Sequence, residues 1–132
     1  MLNPFPDLLV YGHFAPTLIR VLVAMVFLYG AYAQFSRLRE LSEMRFPIIG
    51  HGAWIVWVSI AAHVLVGLMF FAGYYTQIAA LLGAVVGIKG IILAKRYARL
   101  FPLCRLDYAF ILVMCLSLLL SGAGGFAYDL PL

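Results

Sequence analysis

Four long apolar runs constrain what this chain can fold into. They lie at about residues 16–35, 54–73, 76–94 and 106–126. Each run, as an α-helix, is long enough to cross roughly 30 Å of hydrocarbon. A transmembrane β-barrel would show much shorter alternating segments of about ten residues. The sequence therefore predicts an all-α, integral membrane, antiparallel four-helix bundle in which residues 1–132 form a single transmembrane domain.

Composition and charge exclude a water-soluble class. Hydrophobic residues make up 66% of the chain, charged residues only 11%, and the mean hydropathy is +1.07. The net charge of +4 is carried by basic residues that flank the apolar runs, which fits a topology signal rather than a nucleic-acid surface. We therefore expect a lipid bilayer as the partner and no nucleic acid.

The placement of the basic residues predicts the orientation of the helices. The first connection (36–53) is polar and long enough for a short interfacial helix, the second is Tyr74 and Tyr75 alone, and the third is 95–105. Seven basic residues lie in the first and third connections and none in the second: Arg37, Arg39, Arg45, Lys95, Arg96, Arg99 and Arg105. The positive-inside rule makes this the cytoplasmic side, called here the inner end, and places both termini outside the cell.

Small residues predict which helix faces meet, because close backbone approach drives helix association in lipid. The third helix carries one such stripe, consisting of Thr76, Ala80, Gly83, Gly87, Gly90 and Ala94. We predict that Gly83, Gly87 and Gly90 pack against a neighbouring helix of the same chain. The alternative is that the stripe faces outward and binds a partner helix. Lys89 lies off the stripe, near the inner end.

Polar side chains on the other three helices predict a polar interior. The proposed interior faces are Arg20, Ala24, Phe27, Ala31 and Gln34 on the first helix, Ser59, His63, Gly67, Phe70 and Tyr74 on the second, and Phe110, Met114, Ser117, Ser121, Gly124 and Tyr128 on the fourth. Ionisable groups within a membrane commonly mark a ligand or proton site. The predicted ligand-binding residues are therefore His63, Gln34, Arg20, Ser121 and Asp129, with Asp107 near the inner end.

Two of these side chains carry more specific expectations. His63 is interior, and its ring either bonds Ser59 or a neighbouring backbone carbonyl, or contacts a ligand. Arg20 enters the first helix about one turn below the outer interface, where an unpaired guanidinium is unfavourable. Asp129 is its expected partner, because the fourth helix returns the chain to the outer end. Asp7 is the rival, and snorkelling to lipid phosphate is the alternative.

The order and spacing of several residues resemble a known family. The first span has Arg20, Phe27 and Gly30. The second has His63 at mid-span, ten positions before Gly73, which Tyr74, Tyr75 and Thr76 follow, and a glycine-rich stretch from Ser121 ends at Asp129. In this the chain resembles the DoxX-like small four-helix membrane proteins of bacteria and archaea, over nearly its whole length. His63 stands where many relatives have glutamate, and Gln77 where a basic residue often follows the threonine.

The resemblance implies a multi-pass protein of a bacterial or archaeal plasma membrane with a link to redox physiology, since the family is named for subunits of a thiosulfate:quinone oxidoreductase. The first functional hypothesis is that the chain is an accessory or anchoring subunit of a membrane redox complex. In this hypothesis His63, Gln34 and aromatic residues of the bundle contact a quinone. The chain has no motif for flavin, haem, an iron–sulfur cluster or a metal, so electrons would come from a partner and no catalytic residue is predicted. The alternatives are a small oligomeric transporter or permeation unit, assembled from copies of the chain, and a scaffold for partner helices.

Overall fold

The residues that the structure describes form five helices and one short hairpin. The computed structural model describes residues 11–12, 14–42, 45–46, 50–51, 53–94, 103–122, 124 and 127–128. In chain order the elements are α1 (Phe14–Ser36), α2 (Leu38–Ser42), β1 (Arg45–Phe46), β2 (Gly50–His51), α3 (Ala53–Ala72), α4 (Thr76–Leu93) and α5 (Arg105–Ser121). The two strands pair antiparallel. Helix α2 confirms the short helix expected in the first connection, whereas the hairpin beside it was not expected.

Three helices in the described ranges are long and apolar enough to cross a membrane: α1, α3 and α4. They begin and end close to the first three predicted spans. Helix α5 has 17 residues, about 26 Å at the usual helical rise, and ends at Ser121 rather than near residue 126. Gly122 stops it, because its φ of +76° is a left-handed value that glycine adopts without strain. The chain is a helical, multi-pass membrane protein.

The four long helices enclose a common core. Helix α1 packs extensively on α3, and α4 on α5, while smaller contacts join α1 to α5 and α3 to α4. All four meet at Gly83 of α4. An ideal Cβ on that glycine would lie 2.8 Å from the Cys115 sulfur and 3.4 Å from both the Phe27 and the Phe70 rings. The missing side chain is what allows these helices to approach so closely.

The small-residue stripe of α4 faces inward, as the sequence predicts. All six of its members are buried, and Lys89 is exposed. A Cβ on Gly87 would lie 3.3 Å from the backbone oxygen of Tyr108, and a Cβ on Gly90 would overlap the Tyr108 ring. Because α5 covers the stripe at Gly83, Gly87 and Gly90, the stripe is not open to a partner helix.

The predicted interior face of the fourth helix needs correction. The residues that α5 buries are Tyr108, Ile111, Cys115 and Leu118, whereas Phe110 is 63% exposed and Ser121 is also exposed. The hydroxyl of Ser121 donates a hydrogen bond to the Ser117 carbonyl at 2.8 Å. A serine that bonds the preceding turn of its own helix needs no interior partner, so serine positions on α5 do not mark its packed face.

Candidate functional site

A hydrogen-bonded cluster of three polar residues joins α1 to α3 within the apolar region. The Ser59 hydroxyl donates to Oε1 of Gln34 at 3.0 Å. One turn further along α3, Nδ1 of His63 lies 2.8 Å from the Ser59 carbonyl oxygen. Gln34 is only 1% exposed and His63 only 6%. The interior placement of Gln34 and His63 agrees with the sequence prediction, and Ser59 connects them.

The imidazole of His63 is held against α1 by Gly30 and Phe27. A Cβ on Gly30 would lie 3.2 Å from Cδ2 of the imidazole, so a larger residue there would press on the ring. The Phe27 and His63 rings are 5.6 Å apart between centroids, at an interplanar angle of 46°. These contacts fix the direction of the ring and give it one aromatic wall.

The bond to Ser59 determines which ring nitrogen of His63 remains available. A carbonyl oxygen only accepts, so Nδ1 carries the hydrogen that is shared with it. In the neutral ring, Nε2 is then an acceptor. None of the residues that the structure describes offers Nε2 a hydrogen-bond partner. The cluster can therefore accept one hydrogen bond from a ligand, or exchange one proton with it, at that atom.

Arg20 belongs to a different region, at the end of the bundle where α3 passes into α4. Its side chain is 3% exposed. A Cβ on Gly73 would lie 2.9 Å from Cζ of Arg20 and 2.9 Å from Cα of Ala127. The guanidinium group therefore packs against the α3–α4 turn, which Ala127 also approaches. Both expected acidic partners, Asp129 and Asp7, lie outside the described residues, so the ion pair stays a prediction.

The α3–α4 turn that receives Arg20 has a geometry that requires glycine. Gly73 N donates to Phe70 O at 3.3 Å and Tyr74 N to Met69 O at 3.2 Å, which is the Schellman pattern. The φ angle of Gly73 is +66°. Gly73 is thus constrained twice, by its backbone conformation and by the guanidinium beside it.

The structure does not bring all five predicted ligand residues together. Gln34 and His63 share the cluster, whereas Arg20 lies fourteen residues from Gln34 on α1, about 21 Å along the axis. Ser121 is exposed on α5, and Asp129 is outside the described residues. Asp107 is exposed and accepts the backbone N–H of Cys104 at 2.9 Å, so it caps its own helix and does not face the interior.

Ser59 is the functional residue missing from the predicted ligand set. The signal that would have identified it is its position four residues before His63, because side chains at this spacing lie on the same face of a helix. The sequence places Ser59 on the interior face and names it among the expected partners of the His63 ring, but it does not indicate the bond from Ser59 to Gln34. Within the described ranges, no His, Cys, Asp and Glu side chains are grouped as metal ligands would be.

Comparison with known proteins assigns a family to most of these elements. The DoxX family model matches residues 15–96, which include Arg20 and the whole Gln34–Ser59–His63 cluster. The match runs from α1 through α4 and covers more than half of the chain. No curated protein and no solved structure matches the chain at a significant level.

Proposed function

The chain belongs to the DoxX family of membrane proteins, and from this we propose that it is an accessory or anchoring subunit of a membrane redox complex that binds a quinone head at the Gln34–Ser59–His63 cluster. The observation that carries the proposal is the available Nε2 atom of a buried histidine. Polar groups within the bilayer are unfavourable unless they are bonded, and they commonly mark functional sites.

Quinone chemistry fits this arrangement of donors and acceptors. A quinone head has two carbonyl oxygens, and its reduced form has two hydroxyl groups. The neutral His63 ring accepts from a quinol hydroxyl at Nε2, and the protonated ring donates to a quinone carbonyl there. The Phe27 ring gives the head an apolar wall. The protein's part is to bind and orient the quinone, while a redox partner supplies the electrons.

The membrane arrangement that we propose has four crossings. In it α5 is the fourth span, and both termini lie outside the cell. The seven basic residues of the first and third connections support this orientation. The C-terminal segment then lies at the outer end, in agreement with the contact between Ala127 and the α3–α4 turn.

Copurification tests the functional proposal. The affinity-tagged chain is extracted from native membranes in mild detergent, its protein partners are identified by mass spectrometry, and its quinone content is measured after solvent extraction. We expect a flavoprotein or cytochrome partner and about one quinone per chain. His63→Leu should lose the quinone while it keeps the partner.

Gln77→Leu is the matched control, because Gln77 is an exposed polar residue on α4 and its loss should leave the quinone content unchanged. A homo-oligomer without quinone that carries solute flux in liposomes would instead establish the transporter alternative. A stoichiometric partner with no redox centre would establish the scaffold alternative. Either result would overturn the proposal.

A further inference from the structure

We propose a second ligand site: an anionic phospholipid binds at the inner end of α1, with its phosphate between Arg37 and Arg39 and one acyl chain in the groove between α1 and α3. This site is separate from the interior cluster and does not depend on the redox proposal. It combines a polar pocket, an apolar groove and a residue that lines both.

The polar pocket is formed where α1 passes into α2. It has a volume of about 380 Å³ and is lined by consecutive residues from Phe35 to Glu40. Arg37 and Arg39 are both exposed there. Guanidinium groups bind phosphate oxygens through paired hydrogen bonds as well as charge. An interfacial pocket with two of them is suited to a lipid phosphate.

The backbone of this pocket is held in place by the fold. Arg37 N donates to Gln34 O at 3.2 Å, and Leu41 N donates to Arg37 O at 2.9 Å. The side chain of Leu41 is fully buried and packs with Val56 and Ile60 of α3. Helix α2 is therefore fixed against α3, and the backbone that carries Arg37 and Arg39 is held in place.

An apolar groove extends from the pocket along α1. It has a volume of about 260 Å³ and is lined by Leu28, Ala31, Tyr32 and Phe35 of α1 with Ile60 and Val64 of α3. Phe35 lines both the pocket and the groove, so the two spaces border the same residue. The Phe35 ring also packs edge-on against Trp57 at 6.5 Å between centroids. This is the shape of a headgroup site with an acyl-chain site beside it.

Charge and shape together select the occupant. Arg37 and Arg39 outweigh Glu40, so the pocket carries a net positive charge. A neutral lipid or a quinone head would gain no attraction from that charge. The adjoining groove is almost wholly apolar, so free phosphate would use only half of the site. An anionic phospholipid uses both halves, because attraction to basic side chains adds to the burial of its chain.

Native mass spectrometry of the full chain in detergent tests the site. The protein is titrated with phosphatidylglycerol, with phosphatidylcholine of the same chain length, and with inorganic phosphate. We expect phosphatidylglycerol to bind selectively, and Arg37→Gln/Arg39→Gln to weaken its binding about 25-fold, roughly fivefold for each guanidinium removed. Glu40→Gln should tighten the binding.

Arg105→Gln is the matched control. Arg105 is another exposed arginine at the inner end and does not line the pocket, so its loss should change the affinity by much less than the loss of the two pocket arginines. Unfolding midpoints of all variants should match the wild type, because the substituted side chains are exposed. If Arg105→Gln and the double variant lose the same affinity for phosphatidylglycerol, the effect is one of net charge and the proposal is overturned. Equal binding of the two lipids, or displacement of phosphatidylglycerol by inorganic phosphate, would also overturn it.

Discussion

Replacing Gly90 with alanine measures how closely α4 packs on α5. A Cβ at this position would lie 2.7 Å from Cδ2 of Tyr108 and closer still to two other ring atoms, whereas ordinary contacts of this kind begin near 3.4 Å. Tyr108 is 1% exposed, so its rigid ring has no open space to enter. The two helices must separate, or the ring must leave its position.

The expected loss of stability follows from two opposing effects. Overpacking a close helix contact costs about 1–3 kcal/mol, and this contact is of the severe kind because it involves a whole ring. Alanine is the better helix former by about 1 kcal/mol, which offsets part of the loss. We expect Gly90→Ala to lower the free energy of unfolding by about 1–2 kcal/mol.

Equilibrium unfolding in mixed detergent micelles measures this change. Gly87→Ala is the nearest comparison, since its Cβ would lie 3.3 Å from Cβ of Leu112, and its effect should be smaller. Gly12→Ala should be neutral, because nothing lies within 4 Å of its Cβ. The loss of unfolding free energy in the double variant Gly90→Ala/Tyr108→Val should be smaller than the sum of the losses in the two single variants. A Gly90→Ala protein as stable as the Gly87→Ala protein would refute the packing described here.

Four further outcomes follow from the structure. Gly73→Ala should destabilise the chain by at least about 1 kcal/mol, because alanine is strained at a φ of +66° and its Cβ would meet Arg20; unchanged unfolding would contradict this. Ser59→Ala and Gln34→Leu should show a coupling of about 0.6 kcal/mol in a double-mutant cycle, whereas additive effects would rule out their hydrogen bond. Arg20→Leu should cost about 3–5 kcal/mol and be strongly coupled to Asp129→Asn in unfolding; additivity would exclude that ion pair. A reporter that is active only outside the cytoplasm should function when it is fused to the C-terminus, and activity of a cytoplasm-only reporter there would reverse the topology.

Hydrophobic run length and small residues made most of the fold predictable. The ends of α1, α3 and α4 lie where the apolar runs begin and stop, because the bilayer sets the helix length. The buried faces of α1 and α4 follow the predicted stripes, since glycine and alanine allow close backbone contact. In α5 the pattern is weaker, because its serines bond their own helix and large aliphatic residues occur on every side.

The candidate site was only half predictable, because the bond between Ser59 and Gln34 joins two different helices. Gln34 and His63 are recognisable as polar residues in apolar runs, but the sequence does not show that they share a partner in Ser59. Arg20 looks equally suitable for an interior site, yet its depth places it about 21 Å from Gln34. Ser121 and Asp107 bond backbone atoms of their own helices or caps, and a list of polar residues cannot distinguish this from an interior role.

The most direct test of the proposed quinone contact is the magnetic coupling between a bound semiquinone and the nitrogen of His63. The chain is labelled with ¹⁵N-histidine, reconstituted in nanodiscs with decylubiquinone, partly reduced and examined by pulsed EPR. We expect one coupled histidine nitrogen, at Nε2, which disappears in His63→Leu and remains in Gln77→Leu. A semiquinone without a histidine coupling, or one whose coupling survives in His63→Leu, would contradict the proposed site.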